Sequence, residues 1–169
     1  MRLAGVVLAV AALTLSACAT MPAGQHAVAL PDAAPFADDS DAAVELPAAL
    51  AAAAIADHKV LAIFGANWCH DSRALAGWLE TPRFRALTDD AYEIVYIDAG
   101  VPQTGKGRNL ELAETYGVAG IEGTPTVLVL DADGALLNTP ADAKSWRNAA
   151  SRSEDEIFDW LQRWTEASG

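Results

Sequence analysis

Cysteine is scarce in this chain, which has only Cys18 and Cys69 among its 169 residues. That count does not support the disulfide framework of a small cross-linked domain. Basic residues are also few, 11 against 23 acidic ones, and the formal net charge is −12. No basic stripe is present, so no nucleic-acid partner is expected. Long apolar runs are missing as well, since the run at 3–15 is shorter than the ~20 residues of a membrane-spanning helix.

That short apolar run has the length of a signal-peptide core, and Arg2 precedes it. It ends in Leu15-Ser16-Ala17-Cys18, which resembles the lipobox of bacterial lipoproteins. The resemblance implies cleavage before Cys18 and attachment of lipid to its sulfur. Ala19 replaces the aspartate that retains such proteins at the inner membrane, so the resemblance favours the periplasmic face of the outer membrane. An ordinary secretory signal or an uncleaved anchor remain alternatives.

The sequence therefore divides into three parts. Residues 1–17 are predicted to be a lipoprotein signal peptide. Residues 18–45 are rich in alanine, proline and aspartate and poor in large apolar side chains, which predicts a disordered, lipid-anchored tether. From 46 onward the composition is that of a folded domain, predicted to occupy 46–169.

Within that domain, helical and strand patterns alternate. A helix is predicted from Leu46 with Pro47 in its first turn. Strands are predicted at 60–64, 93–98 and 126–130, the last followed by a hairpin partner at 135–137. Further helices are expected after Cys69, divided near Pro82, at 109–116, and from Ser153 onward, where Glu156 completes a capping box. Strands that alternate with helices favour parallel pairing, and the final hairpin is antiparallel. The fold class is α/β, a mixed sheet between helices.

The most informative stretch joins the first strand to the helix after it. Trp68 and Cys69 follow the small residues Gly65 and Ala66, at the expected N-terminus of a helix. The positive end of a helix dipole favours a thiolate over a thiol, and the thiolate is the nucleophile. This placement predicts one reactive sulfur.

The same stretch, Trp68-Cys69-x-x-Ser72, together with Tyr116-Gly117-Val118 and Thr124-Pro125, resembles the thioredoxin superfamily over about 46–165. The resemblance implies a thioredoxin-like mixed sheet sandwiched between helices. It also implies that the Thr124–Pro125 bond is cis and lies against Cys69. Backbone beside that bond would offer an edge for an extended substrate, with Trp68, Thr124 and Pro125 as substrate-binding residues.

Two departures from the family separate this chain from a dithiol enzyme. Ser72 stands where the resolving cysteine of C-x-x-C normally lies, so the chain is a monothiol C-x-x-S variant. We expect the Ser72 hydroxyl to donate a hydrogen bond to the Cys69 thiolate. Ile63 occupies the position of the family's buried acid. His70 fills the variable pair with Asp71; protonated, it would stabilise the thiolate, whereas the aspartate would oppose it.

No cofactor or metal site is predicted. Monothiol glutaredoxins also use C-x-x-S and hold an iron–sulfur cluster with glutathione, but His70 and Asp71 replace their Gly-Phe pair. Three functions fit the pattern: an envelope thiol–disulfide oxidoreductase or isomerase acting on protein thiols or disulfides, a redox-inactive binding module, and a dimer linked through Cys69.

Overall fold

The structure is a computed structural model in which residues 30–165 are described. The signal-peptide and lipidation predictions, including Cys18, lie outside the described residues. Among residues 30–165, no helix has the length and apolarity needed to cross a membrane. The elements follow one another as α1 (Ala42–Ala56), β1 (Lys59–Gly65), α2 (His70–Leu79), α3 (Pro82–Thr88), β2 (Tyr92–Asp98), β3 (Gly100–Val101), β4 (Lys106–Gly107), α4 (Leu110–Thr115), β5 (Thr126–Leu130), α5 (Pro140–Ala143) and α6 (Glu154–Thr165).

The central sheet has the order β2-β1-β5, with β1 in the middle. β1 runs parallel to β2, with Ile63 opposite Tyr96, and antiparallel to β5, with Phe64 opposite Thr126. Helices cover both faces because alternate residues of β1 point to opposite sides. Leu61 and Ile63 pack with residues of α2, α3 and α6, whereas the neighbouring β1 positions pack with α1 and α4. The mixed sheet between helices is thus confirmed.

The prediction that the strand at 126–130 would pair in parallel is wrong. β2 ends at Asp98, beside the end of β1, and β5 begins at Thr126 at that same end. A parallel strand would require the connection to cross the length of the sheet, but the six residues of α4 do not take it there. The chain therefore re-enters the sheet in the opposite direction. The hairpin partner predicted at 135–137 is reduced to one bridge between Leu130 and Leu136.

The folded region also begins earlier than predicted. α1 starts at Ala42, because the Asp41 side chain caps it by accepting from Ala43 N at 3.2 Å, and Pro47 lies inside the helix. Phe36 is buried in the core, at 2% exposure. Residues 30–45, which were expected to belong to the disordered tether, therefore pack against the domain. Residues 18–29 of that segment lie outside the described residues.

Between α5 and α6 the chain forms a 3₁₀ segment, Lys144–Ser151, that the sequence did not predict. Its Trp146 is fully buried and meets Trp160 edge to face, with ring centroids 4.6 Å apart. The guanidinium of Arg152 lies 4.0 Å above the Trp146 ring. These contacts fix the 3₁₀ segment against the sheet, next to α2.

Candidate functional site

The reactive-sulfur candidate lies where the sequence predicts it, at the start of α2. Cys69 is the N-cap residue of α2, and its carbonyl oxygen accepts from Arg73 N at 3.1 Å. The thiol is largely covered, with 7% of the residue exposed. Its Sγ donates to the carbonyl oxygen of Thr124 at 3.4 Å. The sulfur thus lies at the positive end of the α2 dipole while it is held as a donor to the facing loop.

That facing loop contains the predicted cis bond. The Thr124–Pro125 peptide is cis, and both residues are buried. Beyond it, the outer edge of β5 is already occupied: the Asn138 side chain accepts from Val129 N at 3.0 Å and donates to Val127 O at 3.0 Å. The edge for an extended substrate that the family resemblance implies is therefore closed at Val127 and Val129.

Ser72 does not form the hydrogen bond to Cys69 that the sequence analysis predicts. It is fully buried, and its Oγ has no hydrogen-bond partner within residues 30–165. The expected hydrogen bond from Ser72 to Cys69 is absent, which corrects that prediction. The physical reason is the direction of the hydroxyl, which lies beside Gly65: a Cβ built on Gly65 would be 3.0 Å from Ser72 Oγ.

The two residues flanking Cys69 are both open to solvent. Trp68 is 51% exposed although its indole Nε1 donates to Gly100 O at 3.0 Å. His70 is exposed, and no hydrogen bond of its ring occurs within the described part of the chain. The next residue is anchored instead: Asp71 Oδ1 accepts from Ala150 N at 2.9 Å, which ties the 3₁₀ segment to the first turn of α2.

A strap of chain that the sequence analysis missed lies along α2. We define this N-terminal strap as residues 31–37. Ala33 N donates to Arg73 O at 3.1 Å, and the Arg73 guanidinium pairs with Asp32 at 2.9 Å. Nearer the sulfur, Asn67 clasps the backbone of Phe36, accepting from its N–H at 3.0 Å and donating to its carbonyl oxygen at 2.9 Å.

Phe36 itself fills the space beneath the start of α2. Its ring contacts Gly65 so closely that a Cβ there would collide with it, and it meets Tyr96 edge to face at 5.5 Å. The available signal was that Phe36 is the first aromatic residue of the chain, within an otherwise small-residue segment. Because that segment has no periodic pattern, composition alone suggested a tether.

A surface pocket of about 360 Å³ lies between the N-terminal strap and the site. Its floor includes an ion pair between Arg108 and the mostly buried Asp98, with N and O 2.6 Å apart. The lining residues are Phe36, Ala37, Asp38, Asp39, Asn67, Trp68, Asp98 and Arg108. No cluster of three or more metal-ligating side chains occurs among residues 30–165.

The chain is similar to known proteins in sequence and in fold. The family described as thioredoxin-like matches residues 41–132, more than half of the chain. Among solved structures, a disulphide isomerase from Xylella fastidiosa Temecula1 is similar, with a TM-score of 0.70 and 35% sequence identity. The similarity covers 79% of this chain and 98% of that chain. No curated protein matches this chain.

Proposed function

Because this chain belongs to the thioredoxin-like family, we propose that it is a monothiol protein of the cell envelope that exchanges thiols and disulfides through Cys69. The observation that carries the proposal is the position of the sulfur, at the N-terminus of α2 and 3.4 Å from the carbonyl oxygen that precedes cis-Pro125. The similar Xylella protein, described as a disulphide isomerase, supports protein disulfides as the substrate class.

The proposed exchange consumes no oxidant, because one disulfide bond forms for each one that breaks. Cys69 Sγ loses its proton to solvent, leaves the carbonyl oxygen of Thr124 and attacks one sulfur of a substrate disulfide. The Sγ–S bond forms as the substrate S–S bond breaks, and the departing thiolate takes up a proton. Since Ser72 has no sulfur, a thiol of the substrate or an external thiol then attacks the mixed disulfide and restores Cys69. When the attacking thiol belongs to the substrate, the net result is isomerisation.

The test is the reaction of native protein with an aromatic disulfide that releases a coloured thiol. In a Cys18→Ser background, we expect one equivalent of thiol from the folded protein and none after Cys69→Ala. Reaction only after unfolding in urea would overturn the proposal, because the 7% exposed sulfur would then be a core residue. Capture from cells under acid quench would identify the disulfide-linked partner, and a nonreducing gel would show whether it is a second copy of the chain.

A redox-inactive binding module is the second candidate function. The half-exposed indole of Trp68, at the rim of the 360 Å³ pocket, favours it, because exposed aromatic side chains are common anchors of protein interfaces. In that case cells with Cys69→Ala would behave like the parent strain, and Trp68→Ala would abolish the function of the protein. The exchange reaction predicts the loss of function with Cys69→Ala.

The envelope location is part of the proposal and rests on the lipobox-like pattern that ends at Cys18. Cys18→Ser is expected to move the protein from the membrane fraction to the soluble fraction. Cys69→Ser is the matched control, since it also replaces a sulfur atom with oxygen but leaves the proposed lipid anchor at Cys18 in place. Equal incorporation of labelled fatty acid into the parent and the Cys18→Ser protein would contradict lipidation of Cys18, whereas an unchanged membrane fraction alone would fit the alternative of an uncleaved anchor.

A further inference from the structure

A second, smaller pocket of about 130 Å³ lies beside the loop that leads into the cis bond. One wall is the loop before Thr124 and the other is the start of the 3₁₀ segment. The lining residues are Gly120, Glu122, Gly123, Thr126, Lys144 and Arg147. We infer that this pocket binds a carboxylate of a peptide disulfide substrate, carried by the residue next to the half-cystine. This inference rests on the proposed exchange at Cys69.

The pocket is adjacent to the sulfur through both of its walls. Gly123 immediately precedes Thr124, whose carbonyl oxygen lies 3.4 Å from Cys69 Sγ. Arg147 lies directly over Gly123, since a Cβ built on that glycine would be 2.5 Å from Arg147 Cδ. The 3₁₀ segment that carries Arg147 is also held to the first turn of α2 by the bond from Ala150 N to Asp71. Because Gly123 is one residue from the carbonyl group that faces Sγ, we expect a substrate residue one position away from the reacting sulfur to lie at the pocket.

The charge of the pocket differs from that of the molecule. The whole chain has a formal charge of −12, yet two cations, Lys144 and Arg147, line this pocket against one anion, Glu122. Within residues 30–165 neither cation takes part in an ion pair, and Lys144 Nζ donates to Ala119 O at 3.2 Å. Arg147 is exposed and keeps its donors for a ligand.

A carboxylate suits these donors better than a neutral group does. The planar guanidinium can present two parallel N–H groups to a carboxylate, and hydrogen bonds between charged groups are the stronger ones. A local positive site also reduces the repulsion that an acidic substrate meets on approaching a protein of net charge −12. The pocket thus selects among disulfides without changing the exchange reaction.

The experiment compares two peptide disulfides that differ only in an aspartate or asparagine next to the cysteine. The rate of mixed-disulfide formation at Cys69 is measured for each at low salt, and the ratio of the two rates is the readout. We expect the ratio to favour the aspartate peptide by about two- to fivefold, as for a surface ion pair, and to fall toward one at high salt. Arg147→Gln should lower the ratio and Glu122→Gln should raise it.

Two further variants sharpen the result. Gly123→Ala should lower the ratio without any change of charge, because the new Cβ displaces the stem of Arg147. Arg163→Gln is the matched charge control and should leave the ratio unchanged. It lies on α6 two residues after Leu161, whose carbonyl oxygen accepts from the Tyr92 hydroxyl. Tyr92 lies opposite Lys59, at the end of the sheet remote from Cys69.

The outcomes separate the two proposals. Equal rates for the two peptides, or a ratio that Arg147→Gln does not alter, would overturn the carboxylate site while leaving exchange at Cys69 in place. Failure of both peptides to form a mixed disulfide with the folded protein would instead overturn the proposed function.

Discussion

Asn67 holds the N-terminal strap with one side-chain amide, which both donates to and accepts from the backbone of Phe36. A single side chain therefore satisfies the N–H and the C=O of a residue whose ring is in the core. Two residues later the chain reaches Cys69. The N-terminal strap is thus held by the same short loop that carries the candidate nucleophile.

Asn67→Ala is expected to lower the free energy of unfolding by about 1 to 3 kcal/mol, because two hydrogen bonds are lost. Urea denaturation measures the loss, and hydrogen exchange should show faster exchange of the Phe36 amide. Asn148→Ala is the matched control: this side chain is exposed and only accepts from Arg152 at 3.2 Å. Unchanged exchange at Phe36 in Asn67→Ala would contradict the clasp.

Ser72→Ala is expected to raise the free energy of unfolding by about 1 kcal/mol. A buried hydroxyl without a partner is replaced by a methyl group, and alanine also favours the helix. Thr126→Val is the comparison, since Thr126 Oγ1 does donate, to Gly123 O at 3.3 Å, and its removal should destabilise the protein. A loss of stability with Ser72→Ala would indicate that the hydroxyl has a partner after all.

At the scale of elements, α6 begins with the capping box that the sequence predicts from Ser153 and Glu156. Ser153 Oγ accepts from Glu156 N at 3.3 Å, and the Glu156 carboxylate accepts from Ser153 N at 2.7 Å. The Ser153 hydroxyl also donates to that carboxylate at 2.9 Å, and the two bonds donated by the Ser153 N–H and hydroxyl lower the pKa of Glu156. A lowered pKa means that this contribution to stability is present above about pH 4 and is lost as the pH falls through the pKa of the folded state.

Ser153→Ala is therefore expected to destabilise the protein at neutral pH, by about 1 kcal/mol as for other N-caps. The difference from the parent protein should be smaller at pH 3 than at pH 7, because the Glu156 carboxylate gains protons as the pH falls toward its lowered pKa. Thermal unfolding at both pH values measures this. Ser151→Ala, an exposed serine just before the helix, should have little effect. A difference that stays constant between the two pH values would argue against the reciprocal bond.

Local signals of this kind explain what the sequence could predict. The capping box and the division of the helix at Pro82 each depend on one or two residues, and each is confirmed. The cis bond at Pro125, which the family resemblance implied, is confirmed as well. The 3₁₀ segment was missed because its two buried residues, Trp146 and Ala149, are only one helical turn apart, and a pattern of one turn among polar neighbours is too short to predict a helix. The direction of β5 depends on where the connection leaves the sheet, which is a tertiary property.

The candidate site divides in the same way. Trp68, Cys69 and Pro125 were identified from motifs, and the structure places Cys69 against the residue before Pro125. The direction of the Ser72 hydroxyl, the contact of Arg147 with Gly123 and the burial of Phe36 depend on segments distant in sequence. No pattern along the chain encodes such contacts.

At the scale of the whole molecule, one buried tyrosine, Tyr92, and one partly buried tyrosine, Tyr96, make stability depend on alkaline pH. Burial raises the pKa of Tyr96 to about 12, and burial also raises the pKa of Tyr92, whose hydroxyl donates to Leu161 O at 2.6 Å. Above the ordinary tyrosine pKa of about 10, the unfolded chain loses these protons while the folded chain keeps them. The contribution of these two tyrosines to the free energy of unfolding is fully present below about pH 10, and it falls as the pH rises toward the pKa of the folded state.

We accordingly expect the urea midpoint to fall between pH 9 and pH 11. Tyr96→Phe should reduce that fall, since it removes one titrating group and Tyr96 donates no hydrogen bond within the described residues. An equal fall in Tyr96→Phe would assign the effect to other groups, such as the general repulsion of a chain with net charge −12.

The N-terminal strap also has a mechanical consequence. It runs along α2 from Pro31, which contacts Gly77, through Ala33 at Arg73, to Phe36 at Asn67. A force applied through the residues before Leu30 would therefore break the contacts of the N-terminal strap one after another, beginning at the end of α2 remote from Cys69. The clasp beside the sulfur would open last, so moderate tension would spare the reactive end of the domain.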